Sequence, residues 1–184
     1  MNMQTLNAKN RRLQEGFFEK YLKGSGIDIC TSDDPVTSDC RTWDIAWGDP
    51  DATFMEGIDD EAFDWVYSSH GLEHLSDPET GLKNWFRILK PRGFLILYVP
   101  DRELCGKSKL LPDPQSKDHT FYFTIDKDEA PCTFGIVQMI QRTLGAKNYR
   151  TIYVKECASG NNSAFGNVFD LYGEHSIECV IQKL

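Results

Sequence analysis

Basic charge is what this sequence has least to spare. Its 184 residues hold 20 Lys and Arg against 28 Asp and Glu, a net charge of −8. A protein that grips a phosphate backbone needs a basic face, and an anionic membrane repels an acidic one, so nucleic acid and membrane are both excluded as expected partners. No apolar run approaches the roughly 20 residues of a membrane-spanning helix, and the first residues, MNMQTLNAKNRRLQEGFF, contain no apolar core of a signal peptide. The six cysteines (30, 40, 105, 132, 157 and 179) form no C-x-x-C pair. A chain of this length needs no disulfide staples, so the expectation is free thiols in a reducing, cytoplasmic setting. No metal-ligand spacing is assigned, and no repeat, low-complexity tract or linker divides the chain. One domain over residues 1–184 is therefore expected.

What is present reads as an α/β chain. The sequence is 40% hydrophobic and 12% aromatic, enough for a real core. Residues 6–23 carry Leu13, Phe17, Phe18, Tyr21 and Leu22 at helical spacing, and Gly24-Ser25-Gly26 ends them. Ile27–Cys30, Arg41–Ile45 and Phe63–Ser68 read as strands, with a weak third between them at Thr53–Met55. Asp77-Pro78 starts a helix bearing Leu82, Trp85, Phe86 and Leu89. Phe94–Val99 is the most apolar run and reads as a central strand buried on both faces. A long loop follows over 100–118, then a helix at Pro131–Leu144 and late strands at Tyr149–Lys155 and Ile177–Gln182. Alternation of strand and helix predicts a mostly parallel sheet covered on both faces. In such sheets ligands sit beyond the carboxyl ends of the strands. That rule selects residues 28–34, Asp44, Asp51-Ala52, residues 68–70 and the loop after Val99.

Residues 63–101, FDWVYSSHGLEHLSDPETGLKNWFRILKPRGFLILYVPD, are the most specific stretch. They carry Phe63-Asp64, Leu72-Glu73-His74, Asp77-Pro78 and Arg87-Ile88-Leu89-Lys90-Pro91 in order, with Arg92 where a first glycine is usual and Gly93 as the second. This succession resembles the middle of the class I S-adenosylmethionine-dependent methyltransferases, of the small methyltransferase-domain-11-like kind. The resemblance implies a Rossmann-like three-layer sandwich whose mostly parallel seven-stranded sheet has its last strand antiparallel. It also implies S-adenosyl-L-methionine as cofactor and methyl transfer to a small molecule or a sugar. Two rival readings stay open: cleavage of the cofactor without an acceptor, or a non-catalytic binding protein on the same fold. The chain leaves room for a homodimer.

Carried onto this sequence, the resemblance makes Asp28 the acidic residue of the first strand and Asp44 the ribose acceptor ending the second. Asp51 and Ala52 meet the adenine edge, and Ser68 to His70 lie beside the reacting methyl. Cys30-Thr31-Ser32 stands where Gly-Cys-Gly is usual, so Cys30 is expected near the methionine tail without the close backbone approach glycine permits. Other readings of these residues stand beside these: Asp28 as a turn cap, Asp44 as a solvated loop residue, Glu73 and His74 as turn-orienting. His70 or His119 would take the proton of a hydroxyl acceptor, because imidazole titrates near neutral pH. For His119, a structural hydrogen bond beneath a lid is the alternative. Residues 107–118 read as a solvated loop or as that lid.

Overall fold

A computed structural model describes residues 3–31, 33–105, 111, 117–159 and 173–184. Ser32 and most of the 107–118 stretch lie outside the described residues. Two helices open the chain, α1 (Met3–Gln14) and α2 (Phe17–Tyr21), split by Gly16 at φ +65°. The single helix expected over 6–23 is thus broken. Leu13 is exposed rather than in the core, while Ala8 and Arg12 are buried.

The main sheet contains β1 (Gly26–Ile29), β2 (Arg41–Trp43), β3 (Phe63–Ser69), β4 (Leu89–Pro100), β7 (Tyr149–Ser159) and β8 (Glu174–Lys183), in the order β2-β1-β3-β4-β8-β7. β1 to β4 pair in parallel, and β8 runs antiparallel between β4 and β7. The reversed last strand is as expected; the sheet has six strands among the described residues rather than seven. The expected strand at Thr53–Met55 is a set of turns, because its carbonyls are bonded elsewhere. α3 (Pro78–Arg87) sends Asn84 Nδ2 to the Thr53 carbonyl (2.9 Å), Trp85 Nε1 to that of Ala52 (2.9 Å) and Arg87 to those of Met55 and Ile58. These bonds hold the segment in turns against α3 instead of alongside a neighbouring strand.

The central strands are buried on both faces, and successive side chains pack to opposite sides of the sheet. Ile27, Ile29, Val66, Leu95, Leu97, Ile177 and Cys179 pack with Leu82 and Trp85 of α3 and with Met139 and Ile140 of α4 (Ile136–Leu144). Trp65, Tyr67, Ile96 and Val180 face the other way, against Phe17 of α2. A short parallel pair, β5 (Tyr122–Thr124) and β6 (Thr133–Gly135), lies outside the main sheet; the sequence reading had no strand at either place.

Two features position the site. Chain direction diverges between β1 and β3, the neighbouring strands from which successive strands run to opposite edges. Only eleven residues, Cys30 to Cys40, link β1 to β2, with no helix among the described ones. Parallel neighbours normally need a crossover of about a dozen residues or more, usually helical. The space beyond the carboxyl ends of β1 and β3 is bounded instead by α1 and this short loop.

Candidate active site

A cavity of about 220 Å³ lies at that divergence, open to solvent on one side. Asp28, Cys30 and Thr31 line it from the β1 end, Tyr67, Ser69 and His70 from the β3 end, and Arg12 from α1. This is where an open α/β sheet binds ligands.

Asp28 is buried. Its Oδ2 accepts from the Val36 amide (2.7 Å) and the Thr31 hydroxyl (3.1 Å), fixing the loop, while Oδ1 has no partner. Burial pushes this carboxyl up to about 7, against the two hydrogen bonds and the Arg12 charge. Arg12 is 1% exposed. It gives Nε to Glu178 (2.6 Å) and Nη1 to the Tyr67 hydroxyl (2.6 Å), and its guanidinium lies 4.8–5.2 Å over the rings of Tyr98, Phe17 and Tyr67. Nη2 is left without a partner. Burial alone would raise the Glu178 carboxyl, but Arg12 and Arg11 outweigh it and hold it at about 2. Two residues that line the cavity, Asp28 and Arg12, thus each hold one buried polar atom without a partner, an oxygen and a nitrogen.

Cys30 is the residue of the opening loop that needed glycine's freedom, and its backbone takes a glycine conformation, φ +60°. Its side chain has room because residue 71 is glycine: a Cβ there would come within 2.7 Å of Cys30 Cβ and 2.6 Å of Ser68 Oγ. Burial pushes the thiol up to about 12, with Asp44, Glu73, Asp28 and Asp51 adding their charge, so it is no thiolate. All six cysteines are free.

Of the other residues singled out in the sequence, Ser68 is buried beside Cys30 with an unpartnered hydroxyl, but the cavity is lined by its neighbour Ser69. Asp44 follows β2 and caps the 3-10 turn Ile45–Trp47, Oδ1 accepting from Ala46 N at 2.8 Å. Asp51 Oδ1 accepts from Thr53 N at 2.8 Å, and Ala52 is buried under Trp85. These three do not line the cavity, although Asp44 and Asp51 are close enough to act on the Cys30 thiol. Beside them Ile45 and Trp47 are 75% and 66% exposed, large apolar groups left in water.

His70 lines the cavity immediately after β3, at φ +54°. Its Nδ1 lies 3.2 Å from Glu73 Oε1 and its Nε2 3.4 Å from Ser176 Oγ. His119 does not line the cavity. It stacks edge-on with His74, ring centroids 5.0 Å apart, next to the fully buried Glu73, and burial holds its imidazole below the ordinary value while Glu73 opposes that. The turn Leu72–His74 thus draws both predicted histidines to one carboxylate. Arg12 was missed in the sequence, since its partner Glu178 lies 166 residues away.

Residues 15–97 match the model of a methyltransferase domain. No curated protein sequence is similar enough to this chain to count as a match. Among solved structures, the chain is similar to an S-adenosylmethionine-dependent methyltransferase of Methanosarcina mazei (16% identity, 91% of this chain and 97% of that one, TM-score 0.56). It is also similar to one from Thermotoga maritima (17%, 98% and 97%, TM-score 0.53). A third is the partner of the Trm112 methyltransferase activator in a Haloferax volcanii complex (14%, 98% and 96%, TM-score 0.56).

Proposed function

We propose that this chain, whose residues 15–97 match the model of a methyltransferase domain, is a class I S-adenosylmethionine-dependent methyltransferase that moves the cofactor's methyl group to a hydroxyl of a small molecule or sugar. The observation that carries the cofactor half is a pair of unpartnered polar atoms on residues that line the cavity, Asp28 Oδ1 and Arg12 Nη2. An amino-acid zwitterion offers an ammonium and a carboxylate, the complement of that pair. Asp28 receives the ammonium and Arg12 the carboxylate, each a charge-assisted hydrogen bond in a buried setting. Asp44 receives the ribose hydroxyls. The exposed faces of Ile45 and Trp47 cover the adenine, which returns to apolar contact surface now facing water. The residues present thus fit the group despite the missing glycines.

When bound, the cofactor supplies a methyl on a cationic sulfur, an electrophile needing only a nucleophile in line. The protein's work is then positioning and proton removal. Glu73 accepts from His70 Nδ1 and so fixes the tautomer, making Nε2, now 3.4 Å from Ser176 Oγ, the nitrogen that takes the acceptor's proton once the acceptor displaces that contact. The carboxylates of Asp28, Asp44, Asp51 and Glu73 around Cys30 favour a cation at this end of the sheet. His70, which lines the cavity, takes the proton rather than His119, which stacks on His74 outside it.

The test is calorimetric titration with S-adenosylmethionine, followed by incubation with a panel of hydroxylated small molecules and sugars. Binding together with acceptor-dependent S-adenosylhomocysteine release supports the reading. Release without acceptor would favour cofactor cleavage, and absence of binding a non-catalytic role, to which the Cys30 side chain at the glycine position lends some weight.

A further inference from the structure

We propose that Glu73, His74 and His119 form a binding site for a divalent transition-metal ion of the zinc class. Three of the chain's four histidines (70, 74 and 119) gather around one carboxylate. One ligand atom each from Glu73, His74 and His119 lies within 4.8 Å of the other two. Two metal–ligand bonds of 2.0–2.1 Å at the tetrahedral angle subtend about 3.3 Å, so closure takes only side-chain rotation.

Three observations lift this above a chance cluster. Glu73 is 0% exposed, yet its Oε2 has no partner. A buried carboxylate oxygen with nothing to accept from is costly, and a cation removes the cost. His74 is already oriented as a ligand: its Nδ1 lies 3.2 Å from the Asp118 carbonyl and 3.4 Å from that residue's carboxylate, which leaves the Nε2 lone pair free, 4.0 Å from Glu73 Oε1. Metal-binding histidines are normally held this way through the second nitrogen. Finally, the site is built from two distant segments by dedicated bonds. The Thr120 amide and hydroxyl both donate to the Glu73 carbonyl at 2.8 Å, and the hydroxyl also lies 2.7 Å from that of Leu75. That clamp brings His119 beside His74, 45 residues away in sequence.

Two imidazoles and one carboxylate suit zinc, cobalt or nickel better than magnesium or calcium, which take oxygen ligands. Glu73 Oε1 lies 3.2 Å from His70 Nδ1 and 4.0 Å from His74 Nε2, so one carboxylate both orients the cavity-lining histidine and reaches the ion. Metal positions not filled by these three residues face the partly exposed rim where His74 and Asp118 lie.

The experiment uses the full, untagged chain, stripped with chelator and titrated with Zn2+ and then Co2+. One equivalent should bind, the melting temperature should rise, and Co2+ should give the intense visible bands of a low-coordinate site. His74→Asn and His119→Asn should each weaken binding by about a hundredfold, while His175→Asn, altering the remaining histidine, should leave it unchanged. Should either variant fail to fold, nitrogen NMR of the wild-type imidazoles decides: zinc should shift the rings of His74 and His119 and spare His175. No stoichiometric ion, unaltered affinity in folded variants, or unshifted rings would overturn the site. None of these readouts depends on methyl transfer, so the site and the proposed reaction stand or fall separately.

Discussion

Of the three positions where the resemblance expects glycine and the chain has another residue, the two described ones, Cys30 and Arg92, sit at opposite ends of the sheet. Cys30 follows β1 at the cavity, and Arg92 turns the chain into the apolar part of β4. Both keep the left-handed backbone, φ +60° and +66°, which costs an L-residue roughly 1–2 kcal/mol. Their surroundings differ. Arg92 is exposed and only its backbone is constrained, its carbonyl accepting from Gln182 Nε2 at 2.8 Å. The glycine beside it could not change: a Cβ on Gly93 would lie 2.6 Å from the Asp64 carbonyl oxygen and 2.9 Å from that of Lys90. Cys30 is wedged against Ser68 and Gly71 among four carboxylates. The same departure is thus a matter of conformation at one end and of ligand space at the other.

If the Cys30 end is the functional one, removing its anchor should have the largest effect. Asp28→Ala should weaken S-adenosylmethionine binding by about 2–3 kcal/mol, the range for a hydrogen bond to a charged group, whereas Lys90→Ala near Arg92 should leave affinity unchanged. Asp28 also predicts a pH dependence. Its folded pKa of about 7 lies above the ordinary carboxyl value, so the folded state holds the extra proton. The Asp28 contribution to stability is therefore fully present below the unfolded pKa near 4 and falls as pH rises towards 7. Affinity for the cofactor's ammonium should move the opposite way, rising by up to about tenfold per pH unit until it levels off above 7. Calorimetry in buffers of different ionisation enthalpy would register proton release, and a flat profile would remove Asp28 from the ammonium site.

A smaller effect is expected at Asp44, which lies beyond the cavity. Asp44→Asn keeps an acceptor for the Ala46 amide, and so the cap, but removes the charge. Affinity should fall by about 1–2 kcal/mol with the melting temperature unchanged. Equal affinity for adenosine-containing and adenosine-lacking ligands in the wild type would place the ribose elsewhere.

These effects trace what a sequence can and cannot reveal. β3, α3 and β4 were legible because their signals are local: Phe63–Ser68, the Asp77-Pro78 start and FLILYV each fix an element without distant help. Asp28, Cys30 and His70 were singled out because ligands sit beyond the carboxyl ends of parallel strands, and all three line the cavity there. Arg12 was not, since its burial depends on Glu178 and Tyr67, contacts that leave no periodic mark on α1. The strand expected at Thr53–Met55 failed for a similar reason: α3 side chains, remote in sequence, claim its carbonyls. β5 and β6 were hidden because three-residue strands carry too little pattern to separate from a core aromatic run.

Cys30→Gly probes the comparison directly. Relief of the left-handed strain, about 1–2 kcal/mol, is offset by lost burial and by the greater freedom of glycine in the unfolded chain, about 0.5–1 kcal/mol, so stability should hardly move. Affinity should rise about fivefold, equivalent to ~1 kcal/mol, because backbone can then approach the ligand. Adding Ser32→Gly should extend the gain. A folded double variant with unchanged affinity would mean that the Cys30 side chain occupies space the ligand never uses.

Arg92→Gly should have the smallest effect and the opposite signature. The side chain there is exposed, so nothing is lost from the core, and the same strain relief exceeds the same entropy term by about 0.5–1 kcal/mol. For a chain of this size that is a rise of about 2 °C in melting temperature, with cofactor affinity untouched. The pair of variants therefore forms a cross: glycine at 30 changes binding and spares stability, glycine at 92 changes stability and spares binding. A binding change at 92 would show that the far end of β4 is coupled to the cavity through the sheet, and the division of the two ends would then fail.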